Sequence, residues 1–200
     1  MAMLDAVSLR RALGDCTIGR EIIVLQETAS TNDVVLQMTT PATAQGLVVF
    51  AEHQSAGRGQ RGNRWESAPF QGLWFSILLR PGIDVGESAR LTTWAAHTTA
   101  GAICAHLSLP ATVKPPNDVH IEGKKVAGVL VEMRAQPNAP HLAIAGIGIN
   151  VNHAPEDFPN ELRDRATSLA IESDRPVDRA AFAAALLRDL DRSYLAALNR

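Results

Sequence analysis

The chain has 200 residues, of which 46% are hydrophobic, and its 19 lysines and arginines against 21 aspartates and glutamates give a net charge of −2. This length and composition are typical of a globular protein, and we expect residues 1–200 to form one domain. The charge balance lacks the basic excess of a general nucleic-acid binder, so we expect no DNA partner.

Membrane attachment and metal or disulfide frameworks are also disfavoured. No apolar run reaches the roughly 20 residues that a membrane helix requires, and the first residues lack the apolar centre of a signal peptide. Cys16 and Cys104 have no metal-ligand or C-x-x-C spacing, and the six histidines show none either. We therefore expect a cytoplasmic protein in which both cysteines are buried as small apolar side chains.

Helical and strand patterns alternate along the chain. In the first half, the predicted elements are a helix at 8–13, a strand at 21–27, a helix that begins at 30–33, strands at 46–52 and 72–80, and a long polar loop at 53–71 between those strands. In the second half, they are a helix at 88–107, a non-helical segment at 112–118, a hairpin at 119–135 that turns at Glu122-Gly123, a strand at 141–152, a loop-rich segment at 153–176, and a helix at 178–198 that Asp178 caps.

This order of elements predicts an α+β fold: a mixed, largely antiparallel sheet with helices packed mainly on one face. The apolar strand near 141–151 leaves two alternatives open. It lies at a sheet edge, where it could pair between subunits of a homodimer, or it is buried inside the sheet.

The most informative motif is GRGQRG (57–62), in the long loop. Glycines allow main-chain N–H groups to approach an anion closely, and arginines supply planar cationic forks that suit carboxylate or phosphate. The segment fits neither the P-loop nor the dinucleotide-binding pattern. It indicates either an anion-binding loop or a flexible, exposed basic loop.

Four shorter motifs each allow a structural or a functional interpretation. STN (30–32) suits helix capping or ligand contact, and KPPND (114–118) suits a turn before a strand or a rigidly held Asn-Asp pair. GKKVAG (123–128) places its lysines either in solvent or beside a pocket. The glycines of AGIGIN (145–150) indicate close approach of another backbone or of a ligand.

Together, in this order and spacing, the five motifs resemble the biotin protein ligase family. The resemblance covers about residues 24–152 and continues weakly through 178–198. It implies a catalytic domain with the fold of class II aminoacyl-tRNA synthetases and lipoate ligases. It also implies that ATP, with Mg²⁺, activates biotin to biotinyl-5′-AMP with release of pyrophosphate. Biotin is then transferred to one lysine of a biotin carboxyl carrier protein, such as that of acetyl-CoA carboxylase.

The same resemblance implies roles for individual residues. The residues expected at biotin are Ser30, Thr31, Asn32, Gln54, Gly57, Arg58 and Gly128, with Ser30, Thr31 and Gln54 on the ureido ring. The residues expected at ATP or the adenylate are Arg58, Gly59, Arg61, Trp65, Asn117, Asp118, Lys125 and Asn150. Lys125 and Arg58 are the expected catalytic residues: Arg58 neutralises the biotin carboxylate and phosphate, and Lys125 bridges that carboxylate and the α-phosphate. Asp118 orients Lys125 or a magnesium-bound phosphate.

The sequence departs from the family pattern in three places. Gln60 stands where arginine is common, so adenylate retention is expected to be weaker unless Arg61 substitutes, and Pro115 replaces a tryptophan. The chain ends soon after its last predicted helix, so we expect neither the small C-terminal β domain nor the N-terminal helix-turn-helix of many relatives, and no repressor role.

Two alternatives remain: a lipoate or octanoate ligase or transferase of the same fold, and a non-catalytic biotin-binding module. The combination of GRGQRG with KPPND favours biotin over lipoate. The presence of both Arg58 and Lys125 argues against a module without turnover.

Overall fold

A seven-stranded sheet runs through the residues that the computed structural model describes, which are 3–137 and 139–198. Its strand order is β1-β2-β3-β7-β6-β5-β4. The strands are β1 (Glu21–Thr28), β2 (Leu47–Gln54), β3 (Gly72–Leu79), β4 (Thr112–Lys114), β5 (Asp118–Ile121), β6 (Lys124–Arg134) and β7 (Leu142–Asn150). The helices are α1 (Ala6–Leu13), α2 (Thr31–Met38), α3 (Ser88–Leu107), α4 (Leu169–Ser173) and α5 (Arg179–Leu198).

The pairing of the strands confirms the mixed, largely antiparallel sheet. β1 and β2 are parallel, and the other neighbouring pairs are antiparallel. β7 lies between β3 and β6, so the interpretation of this strand as a sheet edge is wrong. Its apolar residues are explained by burial inside the sheet, which removes the basis for expecting a homodimer through this strand.

Most of the helices pack on one face of the sheet, as expected. Side chains of α1, α3 and α5 form the main core with one face, while α2 packs on the opposite face over a smaller cluster. Along β3 the alternation is visible: Phe75 and Ile77 enter the main core, and Leu78 enters the cluster beneath α2. Because α2 is short, it covers only part of the face on which it packs, and a cavity lies over the uncovered part.

Several local predictions are confirmed. Glu122 and Gly123 both have positive φ, 48° and 79°, as a two-residue hairpin turn of type I′ requires. The Asp178 carboxylate accepts a hydrogen bond of 3.0 Å from the Ala181 N–H at the start of α5, so it caps that helix. Among the described residues, no helix is both long and apolar enough to cross a bilayer.

The expectation of buried cysteines is wrong. Cys104 is exposed on α3 and Cys16 is partly exposed, and both are free thiols. Cys104 lies in the last turns of a helix whose buried stripe is formed by other residues, such as Ala102 and Ile103. Composition alone did not reveal which side of the helix each cysteine occupies.

Candidate functional site

A cavity of about 290 Å³ lies beside the N-terminus of α2, between the 53–71 loop and the β5–β6 hairpin. It brings together all five motifs, at 30–32, 57–62, 114–118, 123–128 and 145–150, which are far apart in sequence. The predicted site residues that line it are Ser30, Thr31, Asn32, Gln54, Arg58, Gly59, Arg61, Trp65, Asn117, Asp118, Lys125 and Gly128. Gly57 and Asn150 are not among the lining residues.

One end of the cavity is neutral and polar. Ser30, Thr31 and Asn32 are 4%, 3% and 4% exposed, and Ser30 makes no capping hydrogen bond although it precedes α2. The Thr31 N–H donates to Gln54 Oε1 at 2.8 Å. Capping therefore does not explain this serine, and its hydroxyl is left for a ligand.

Glycines form the floor. Gly128 of β6 and Gly148 of β7 lie opposite each other, and the Trp65 indole rests on both. A Cβ at Gly128 would come within 2.8 Å of that ring, and one at Gly148 within 2.6 Å. The close approach that AGIGIN indicates is thus the approach of a tryptophan side chain, and only glycine leaves room for it.

We expect Gly148→Ala to unseat Trp65 and so to weaken nucleotide binding about tenfold, since the ring must shift to avoid the new methyl group. The free energy of unfolding should fall by only about 1–2 kcal/mol. Gly101→Ala in α3 is the matched control, because a Cβ there meets no atom within 4 Å. Isothermal titration with ATP, together with urea denaturation, checks both effects; unchanged ATP affinity for Gly148→Ala would contradict the assignment.

The 53–71 loop is folded back on itself rather than loose. The Gly59 N–H donates to Asn63 O at 2.7 Å, and the Trp65 N–H donates to Gly57 O at 2.9 Å. A Cβ at Gly57 would lie 2.6 Å from Trp65 O, so this glycine permits the two strands of the loop to touch. Gly57 therefore shapes the loop, and its neighbours Arg58 and Gly59 face the cavity.

The charge of Arg58 is already balanced within the chain. Its guanidinium donates two hydrogen bonds to Asp33, at 2.6 and 2.8 Å, and one of 3.2 Å to Glu132. The hydrogen bonds from Arg58 hold the pKa of Asp33 below its usual range. An anion bound by Arg58 must therefore compete with two carboxylates, which the sequence interpretation did not include.

The other cationic side chains of the cavity differ in their partners. Lys125 Nζ lies 2.7 Å from Asp118 Oδ1 and 5.2 Å from the Trp65 ring centroid. Arg64 pairs with Glu66 at 3.1 Å. Within the described part of the chain, Arg61 forms no ion pair, so its charge is available to a ligand anion.

Asn150 lies beside the cavity and hydrogen-bonds to a neighbouring segment. Its Nδ2 donates to Thr167 O at 3.0 Å, and the side chain is 6% exposed. The segment that contains Thr167 flanks Lys125: the Lys125 N–H donates to Arg165 O, and the Thr167 N–H donates to Lys125 O. Asn150 thus helps to hold the segment against which the Lys125 backbone is fixed.

Sequence reasoning missed three polar residues here: Asp33, Ser76 and Glu132. Asp33 and Glu132 hold Arg58, and Ser76 hydrogen-bonds to Thr31 and Asn32. Ser76 and Glu132 each interrupt an apolar strand, and a lone polar residue in such a strand is a signal that could have identified both.

A row of aromatic rings leads from the cavity into the 153–158 region. Trp65 packs edge-on against Trp74, Trp74 edge-on against His153, and His153 stacks on Phe158 at 5.1 Å between centroids. His153 is 3% exposed, and burial lowers its pKa to about 4. The imidazole is therefore neutral in the folded chain at pH 7.

This histidine is expected to make the fold acid-sensitive. Between its folded pKa of about 4 and its ordinary value of 6.5, the unfolded chain binds the proton more readily, so stability is full above pH 6.5 and falls toward pH 4. The loss should total about 3 kcal/mol. His153→Phe keeps the stacking and should remove this contribution, whereas exposed His97→Gln should not. Urea denaturation at several pH values in this window tests it, and equal acid sensitivity of the Phe variant would disprove it.

Comparison with known proteins places the chain among its relatives. The sequence model of the biotin/lipoate A/B protein ligase family matches residues 24–150. The chain is 35% identical over 191 residues to the bifunctional ligase/repressor BirA of Bacillus subtilis, covering 96% of this chain and 59% of that protein. It is 35% identical over 195 residues to the biotin–[acetyl-CoA-carboxylase] ligase of Mycobacterium tuberculosis, covering 94% of this chain and 70% of that one.

The fold agrees with solved structures. The biotin protein ligase from Aquifex aeolicus in complex with biotin and ATP superposes with a TM-score of 0.76 and 30% identity, covering 90% of this chain and 73% of that one. The chain spans about six tenths of the length of the Bacillus relative. The chain therefore belongs to the biotin/lipoate A/B protein ligase family, and within it the chain is similar to the biotin protein ligases.

Proposed function

We propose that residues 1–200 act as an ATP-dependent biotin protein ligase. The observation that carries the proposal is one cavity that is lined both by the neutral polar side chains of Ser30, Thr31 and Gln54 and by the cationic side chains of Arg61 and Lys125. Biotin has the matching polarity, with a cyclic urea at one end and a carboxylate at the other. The complex of the Aquifex aeolicus relative with biotin and ATP supports both ligands.

In the first step, a biotin carboxylate oxygen attacks the α-phosphorus of ATP, and pyrophosphate leaves. Both reactants are anions, so catalysis depends on holding them together and on cations aimed at the charge that develops. Lys125 is the proposed bridge between carboxylate and α-phosphate, and Asp118, 2.7 Å from its Nζ, orients it. Arg61, which has no carboxylate partner in the described chain, is suited to the polyphosphate.

Mg²⁺ would accompany ATP and would offset charge on the leaving pyrophosphate when bound. The donor set fits an ion that the triphosphate itself carries. Across the described residues there is no cluster of three metal-ligating side chains, and Asp118 is the carboxylate that lines the cavity. Magnesium commonly binds through one or two carboxylates together with substrate phosphates.

In the second step, the neutral amine of a carrier lysine attacks the acyl carbon of biotinyl-5′-AMP. An amide bond forms, AMP leaves with the mixed-anhydride oxygen, and the amine loses a proton. The folded-back loop at 57–65 would cover the adenylate and keep water from hydrolysing it. The proposed partner is a biotin carboxyl carrier protein, in keeping with the name of the Mycobacterium tuberculosis relative.

Biotin-dependent exchange of labelled pyrophosphate into ATP tests the first step without a carrier. Exchange with biotin and magnesium, and none with lipoate, is the expected result. Exchange with lipoate alone would replace the proposal with a lipoate ligase. Biotin binding without exchange would indicate a non-catalytic module. Transfer is then tested with an isolated carrier domain and its lysine-to-arginine variant as the control.

A further inference from the structure

A chain of hydrogen-bonded side chains runs behind the polar end of the cavity and includes a residue that does not line it. Ser76, on β3, is fully buried, and its Oγ lies 2.7 Å from Thr31 Oγ1 and 2.5 Å from Asn32 Oδ1. Asn32 Nδ2 in turn lies 2.5 Å from Glu132 Oε2. At the other end, Gln54 Oε1 accepts from the Thr31 N–H.

The carboxylate at one end determines the direction of every proton in this chain. An ionised carboxylate only accepts hydrogen bonds, so the Asn32 amide must turn its NH₂ group toward Glu132 and its carbonyl oxygen toward Ser76. That carbonyl oxygen only accepts, so the single hydroxyl proton of Ser76 is committed to it. Ser76 Oγ can then only accept from Thr31.

The Thr31 hydroxyl proton is therefore directed away from the cavity. Thr31 Oγ1 is closer to Ser76 Oγ, at 2.7 Å, than to Gln54 Oε1, at 3.1 Å. Because the Ser76 proton is committed to Asn32, only the Thr31 proton can form the hydrogen bond between the two hydroxyl oxygens. Gln54 Oε1 is still satisfied by the Thr31 N–H at 2.8 Å. Thr31 Oγ1 thus offers only lone pairs to a ligand.

We infer that Ser76 is a positioning residue that makes this wall select a ligand with an N–H group at Thr31. The inference rests on the proposed function in one respect, because the N–H group in question belongs to the ureido ring of biotin. A ligand with an oxygen at that position would place its lone pairs against those of Thr31 Oγ1, and the two oxygens would repel each other. Ser76 determines this preference without touching the ligand.

The network is held in register by the packing around it. A Cβ at Gly146 would collide with Asn32 Oδ1, so the glycine allows the amide to lie flat on β7. Thr31 and Asn32 are both nearly fully buried, which excludes water as an easy substitute for Ser76. Loss of the Ser76 hydroxyl should therefore free the Thr31 hydroxyl to rotate, so that it can donate to Gln54 Oε1, 3.1 Å away, or to an acceptor atom of a ligand in the cavity.

The test compares biotin with its two cyclic carbamate analogues, in which ring oxygen replaces one or the other N–H. Titration calorimetry gives the affinity of each for the full chain, for Ser76→Ala and for Thr99→Val, a control that removes a buried hydroxyl from α3. Ser76→Cys, which nearly keeps the volume, repeats the test if the alanine variant does not fold.

For the unaltered chain, we expect one analogue to bind much more weakly than biotin at the Thr31 contact. Ser76→Ala should reduce the preference for biotin over that analogue by about tenfold and leave the preference over the other analogue unchanged. Thr99→Val should change neither. Equal loss of affinity for all three ligands in Ser76→Ala would show a merely structural role and overturn the inference. Failure of the unaltered chain to bind biotin would instead refute the proposed function.

Discussion

Replacing Lys125 with alanine is expected to slow biotin-dependent pyrophosphate exchange at least about 100-fold, because the charge developing on the α-phosphate would lose the cation that we propose stabilises it, which Asp118 holds at 2.7 Å. Biotin affinity should change by less than about threefold, since the side chains proposed to contact the ureido ring, Ser30, Thr31 and Gln54, do not include this lysine. Exchange rates and titration calorimetry on the same preparation separate the two effects.

The neighbouring Lys124 supplies the matched control. It carries the same charge on the same hairpin but is exposed and does not line the cavity, so Lys124→Ala should leave both quantities unchanged. Asp118→Asn, which removes the carboxylate paired with Lys125, should give a smaller loss of exchange. Near-normal exchange in Lys125→Ala would remove this lysine from the mechanism.

The second large effect concerns a buried ion pair that joins four parts of the chain. Arg179, at the start of α5, donates to both carboxylate oxygens of Glu52 at 2.6 and 3.1 Å and to Gly72 O at 2.9 Å. Glu52 also accepts from the Leu4 N–H at 2.6 Å. The Arg179 and Glu52 side chains are 4% and 0% exposed. We expect Arg179→Met to lower the free energy of unfolding by about 3–5 kcal/mol, since it leaves the carboxylate buried without its counter-charge.

The double variant Arg179→Met/Glu52→Leu distinguishes loss of the pair from loss of packing. Replacing both charges with apolar groups of similar size should recover most of the stability, because no buried charge then remains. Urea denaturation of the single and double variants measures both. A loss below about 1 kcal/mol in Arg179→Met would contradict the expected cost of the stranded carboxylate.

The sequence predicted most elements because their signals are local. The β-branched run of β1 and the hairpin turn at Glu122-Gly123 fix backbone conformation within a few residues. The same holds for the Asp178 cap. It did not predict the side of α3 on which Cys104 lies or the place of β7 in the sheet, because both depend on partners elsewhere in the chain.

In the site, too, the sequence predicted local features and not those that depend on distant residues. The motifs indicated which segments carry chemistry, and most of their residues line one cavity. The motifs did not show that Arg58 is bound by Asp33 and Glu132, or that Asn150 serves the segment beside Lys125. Glu132 is 74 residues from Arg58, and no local pattern encodes such a pairing.

By itself, the sequence determined most of the elements, the motifs and the family, because backbone preference, hydrophobic period and motif spacing are properties of consecutive residues; the short helix α4, inside the segment predicted to be loop-rich, was not among them. The tertiary structure decided which charges are balanced, which hydroxyl protons are committed and which glycines lie beneath Trp65. Those properties depend on distances of about 3 Å between residues far apart in the chain, and the packing of the sheet against α2 and the 53–71 loop sets those distances.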